Sequence, residues 1–109
     1  MSQVQALEHQ LRSTQQLQEF AEKIRQLIQT PLYREVIVEQ FSTKECARYA
    51  QESADPSLTA EQRADALGIS QASGHLKRWI AVTLQMADVA ARDIPALQEQ
   101  LEYARQEEA

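Results

Sequence analysis

A chain of 109 residues makes one small domain. Its net charge of −5 argues against general nucleic-acid binding and against docking on an anionic membrane, because both draw their affinity from Lys and Arg. Two glycines, three prolines and few strand formers outside Val36-Ile37-Val38 exclude a sheet protein and point to an all-α one, and at 6% aromatics its core cannot be built from bulky rings.

The first element expected is a helix over residues 1–29. Val4, Leu7, Leu11 and Thr14 step by three or four, a heptad rhythm. Leu17, Phe20 or Ala21, Ile24, and Leu27 or Ile28 resume it after a slip of three residues. The early stripe of Val4, Leu7, Leu11 and Leu17 is too thin to anchor a lone helix in water, so it either frays or pairs with another chain. These four residues are therefore candidate protein-interaction positions. The start, MSQVQALEHQ, has no basic region followed by an apolar run, so no signal peptide is expected. No segment approaches the length of a membrane span.

Thr30 and Pro31 mark a boundary: a threonine cap followed by a proline at the first helical position. A second helix is expected over 31–53, burying Tyr33, Val36, Ile37, Phe41, Ala47 and Ala50. Ser42 and Glu45 match a capping box, which allows a restart after a kink, but an unbroken helix is simpler. Cys46, the only cysteine, excludes an intrachain disulfide, suits a reducing compartment and reads as a buried, inert thiol. Asp55-Pro56 marks the clearest turn.

A third helix is expected over 59–93, opened by a Thr59–Gln62 capping box with Glu61 at the positive end of the dipole. Leu67, Ala72, Leu76, Trp79, Val82 or Thr83, Met86 and Ala90 form its inner face. Ile80 and Leu84 lie on an adjacent row, so Trp79, Ile80 and Leu84 join the interaction candidates. Gly68 and Gly74 fall inside this helix; close backbone packing explains them best, a hinge next. Ile94-Pro95 then interrupts the pattern, and Asp93 caps a short final helix over 94–107, with a kinked continuation as the alternative.

Motifs for chemistry are missing. His9 and His75 stand apart, with no Cys or His at metal spacing, and read as surface or boundary residues. There is no phosphate loop, nucleophile elbow or dinucleotide fingerprint. The chain reads as a non-enzyme with no cofactor. Arg48, Arg63, Lys77 and Arg78 form a possible anion patch, Arg48 and Arg63 flanking the Asp55 end if the two helices are antiparallel, with ordinary ion pairing as the simpler account.

The rhythm LYREVIVEQFSTKECARYA, then ADPSL, then SGHLKRWIAVTLQMADVA, resembles that of short acidic all-helical proteins of unassigned function encoded by tailed bacteriophages. The resemblance covers about half the chain, residues 32–87, and departs from the group at GISQASG. It implies a phage origin and a helical hairpin, located in the cytoplasm of an infected host or in a virion. The expected fold is an antiparallel helical hairpin with a long N-terminal helix and a short C-terminal segment. The expected role is a homo-oligomeric phage structural or assembly protein. A small acidic inhibitor of a host enzyme or defence protein is the alternative, and nucleotide capture at the basic patch ranks third.

Overall fold

A computed structural model describes residues 2–109; the first residue of the expected 1–29 helix lies outside them. Three helices, the last of them long, replace the expected hairpin with its long N-terminal helix and separate short C-terminal segment. Helix α1 spans Gln3–Ile28. Helix α2 is a joined middle helix made of Pro31–Tyr33, Arg34–Glu45 and Cys46–Glu52. Helix α3 runs Ala60–Glu108 without a break. The chain divides into two compact units. The first joins the stretch up to Ile24 to Val82–Ala109, and the second is Arg25–Ala81.

In the first unit α1 lies antiparallel to the C-terminal half of α3. Arg105 is 3.2 Å from Glu8, and further along the pair the Gln18 side-chain amide donates to the Ala87 carbonyl. The covered positions of α1 are Val4, Leu7, Leu11, Thr14, Gln18 and Ala21, with Leu17 and Ile24 beside them. That is an uninterrupted heptad, so the expected slip does not occur. On α3 the matching row is Thr83, Ala87, Ala90, Ile94, Leu97, Leu101 and Ala104. The small side chains of Ala21, Ala87 and Ala104, all buried, let the two backbones approach.

This row also explains why α3 passes through Pro95, where a separate helix was expected. A mid-helix proline costs about 3 kcal/mol. Burying Leu97 and Leu101 contributes about 1.5–3 kcal/mol each, and both sit in the heptad that began upstream of the proline. Breaking the helix at Ile94-Pro95 would take that row off α1. Pro95 itself is exposed, so its ring meets no packed neighbour.

In the second unit α2 lies antiparallel to the N-terminal half of α3. Tyr33 and Ile37 share a groove with Leu76 and Ile80, while Tyr49 and Glu52 lie beside Gln62 and Ala66. Thr30 caps α2 as expected, accepting from the Tyr33 N–H at 3.2 Å. The Thr59–Gln62 capping box forms in both directions, at 3.0 and 3.1 Å. The Ser42–Glu45 box does not form, because the chain is helical through it.

That helix is π-helical over Arg34–Glu45: the Cys46 N–H bonds to the Phe41 carbonyl, and the Thr43 hydroxyl to the Val38 carbonyl at 2.9 Å. Three consecutive β-branched residues, Val36-Ile37-Val38, crowd an α-helical turn, and a wider coil relieves them. The wider coil changes which residues face inward. Tyr33, Ile37, Phe41, Cys46 and Tyr49 are covered, while Val36, Ala47 and Ala50, expected inside, are exposed.

Candidate interaction surfaces

The first unit places Val4, Leu7, Leu11 and Leu17 half-buried along α1's covered face. The thin stripe thus has a partner within its own chain. Leu17 also borders a cavity of about 440 Å³ with Gln85, Met86, Val89, Ala90 and Asp93. Met86 and Val89 are exposed there, Met86 at 57%, and Val82 is exposed one turn before them. Their spacing of four and three residues repeats the heptad one position before the covered row of Thr83, Ala87 and Ala90. Met86 had been expected on the inner face, as had Val82 or Thr83, of which Thr83 is the covered one. Tyr103 is exposed in the same unit.

Trp79 was also expected inside. It is 53% exposed, whereas Ile80 and Leu84 are half-buried. Of the inner row expected on α3, Ala72, Leu76, Thr83 and Ala90 are covered, whereas Leu67, Trp79 and Met86 are exposed and Ile80 and Leu84 from the adjacent row take part in the covered face. The buried residue beside Leu67 is Ala66. Bulk misdirected part of the sequence reading: Trp79, Met86 and Leu67 lie outside, while the covered side includes small residues such as Ala66 and Ala87 beside its leucines.

Of the four basic residues, Arg48 and Arg63 are engaged by local partners, and fourteen helical residues, roughly 21 Å, separate Arg63 from Lys77. Arg48 is held by Glu45 at 2.8 Å and Glu52 at 2.6 Å, and its guanidinium stacks over Tyr49 at 4.3 Å. Arg63 donates to the Leu58 carbonyl at 3.0 Å and to that of Asp55 at 3.5 Å, which ties the α2–α3 loop to α3. Lys77 and Arg78 are exposed. The hydrogen bond from Arg48, then its charge, holds Glu45 below the usual carboxylate range. Asp55 is held low by the Ser57 backbone N–H, then the Ser57 hydroxyl, with Arg63 adding to them.

Cys46 is buried, and its thiol donates to the Ile69 carbonyl at 3.6 Å. His9 and His75 are exposed. Among the described residues no group of His, Cys, Asp and Glu is placed to hold a metal ion, and no helix is long and apolar enough to cross a membrane. A Cβ at Gly68 or Gly74 would meet nothing within 4 Å, so close packing, the expected reason for both glycines, does not account for them.

A second cavity, of about 460 Å³, lies in the second unit between α2 and α3, lined by Tyr33, Ile37, Val38, Ser42, Ser73, Gly74, Leu76, Lys77 and Ile80. Sequence reading missed it. The only local signal is the run of small residues Ala72-Ser73-Gly74. No family model, curated protein or solved structure matches the chain.

Proposed function

We propose that this protein is a non-enzymatic helical module that works as a homo-oligomer, as a structural or assembly component of a tailed bacteriophage. The observation that carries the reading is the exposed row Val82, Met86 and Val89 on α3 in the first unit. Among the described residues the large buried aliphatic side chains are Ile24, Leu97 and Leu101, far fewer than the large apolar ones left exposed. A self-complementary helical face meets that imbalance, since covering each such side chain contributes about 1.5–3 kcal/mol. The phage assignment rests on the rhythm of residues 32–87.

Light scattering on the purified chain tests self-association. A discrete oligomer is expected at tens of micromolar, converted toward monomer by Met86→Glu. A wild-type monomer at that concentration ends the reading. Capsid or portal genes on either side of the coding sequence would support assembly; an early-gene cluster would count against it.

The acidic balance favours a second reading, an inhibitor that masks the basic surface of a host protein. It requires one stoichiometric partner from host lysate, held in a salt-sensitive complex.

A further inference from the structure

We infer that the groove between the π-helical part of α2 and α3 in the second unit binds a single-chain amphiphile with an anionic headgroup. Its volume of about 460 Å³ falls within the range of small-molecule sites. Ile37, Val38, Leu76 and Ile80 supply apolar walls, and Tyr33, Ser42 and Ser73 line the groove with them. Ser73 and Gly74 leave the space open, and a Cβ at Gly74 would still touch nothing within 4 Å.

Charge selects the headgroup. Lys77 is the only charged side chain lining the groove, on a chain whose net charge is −5. No carboxylate lines it, and Lys77 makes no ion pair among the described residues. An ammonium beside an apolar trough fits a ligand with one anionic end and an alkyl body. A carboxylate and a phosphate share that chemistry. The groove also has a structural origin independent of any ligand: the π-helical coil sends Ile37 and Ser42 toward α3 five residues apart, out of step with α3's own rows.

The test uses the full-length chain, ¹⁵N-labelled, titrated with decanoate, decyl phosphate and decanol below their micelle concentrations. Saturable shifts are expected at the amides of Ser42, Ser73, Gly74 and Lys77, with both anions binding more tightly than decanol. Whichever anion binds better identifies the headgroup. Gly74→Leu, which places a good helix former in the open space, should abolish the shifts while helicity by circular dichroism is kept. Lys77→Gln, an exposed change, should weaken decanoate about tenfold, to the level of decanol, and leave decanol unchanged. Four results overturn the proposal. The first is no saturable shift. The second is persistence of the shifts in Gly74→Leu. The third is equal affinity for decanol and the anions. The fourth is shifts at the same amides that depend on protein concentration alone, which would mean a second copy fills the groove.

Discussion

The two helix pairings of this chain use the same helix, α3, and differ in the period of what packs on it. In the first unit α1 repeats every seven residues and so does the C-terminal half of α3, so the covered positions recur in step on the two helices. In the second unit the π-helical part of α2 faces inward at steps of four and five, against steps of three and four on α3. Rows of unequal period cannot stay interdigitated. The closed seam has buried leucines, whereas the mismatched one has a groove and Cys46 as the buried residue of α2. Equal periods bury leucines along the seam and leave the first unit's cavity beside the exposed Met86 and Val89; unequal ones place a groove between the paired helices themselves.

The largest expected effect lies in the closed seam. Leu101→Ala should destabilise by about 2–5 kcal/mol, because a buried leucine is lost without room for the site to collapse. Urea unfolding measures it; a loss below 1 kcal/mol would mean that the α1–α3 seam is not closed there. In the second unit the half-buried Ile37 borders an existing space, so Ile37→Ala should cost less, about 1–2 kcal/mol. Its neighbour supplies the control. Val36→Ala should stay within about 0.5 kcal/mol, since Val36 is exposed. If Val36→Ala costs more than Ile37→Ala, the π-helical phase is wrong.

The same contrast explains what the sequence disclosed. Val4, Leu7, Leu11 and Thr14 announce α1's heptad because apolar and small residues mark it plainly. The apparent slip after Thr14 arose because a polar residue, Gln18, holds the next core position, where its amide bonds to a backbone carbonyl. On α3 the weight of Trp79 and Met86 drew the inner face one residue away from Ile80 and Ala87. Alanine marks a core weakly, yet Ala66, Ala87 and Ala104 are where α3 is most buried. Pro95 looked like an end because local geometry disfavours helix there; burial on α1, a non-local term, outweighs it. The π-helical segment has no periodic signature in composition, and it moved the covered positions after Phe41 from Ala47 and Ala50 to Cys46 and Tyr49. The candidate site was less legible than the fold, because a groove between helices of unequal period is a property of neither helix alone.

Glycine substitution separates open space from close packing at a smaller scale. Gly68→Ala and Gly74→Ala should each stabilise the protein by about 0.5–1 kcal/mol, because both sites are helical and an added Cβ meets nothing. A loss of stability in either variant would show a neighbour within contact distance and restore close packing as the reason for that glycine.

The smallest effect is electrostatic and belongs to the second unit. Asp55 accepts from the Ser57 N–H at 2.9 Å and from its hydroxyl at 2.7 Å, and Glu45 accepts from Arg48. Both carboxyls are held below their usual range, so each binds its proton less readily in the folded chain than in the unfolded one. Their contribution is therefore fully present above about pH 4 and is lost as pH falls through the lowered folded values. Both groups are solvent-exposed, so screening keeps the effect small. Asp55→Asn should flatten part of the acid limb of a melting-temperature profile while moving the neutral plateau little. Amide exchange in wild type should quicken first across residues 53–59 as the solution is acidified, before the α1–α3 seam responds. An acid limb of unchanged slope in Asp55→Asn would remove this loop from the pH response and leave the Glu45–Arg48 pair to account for it.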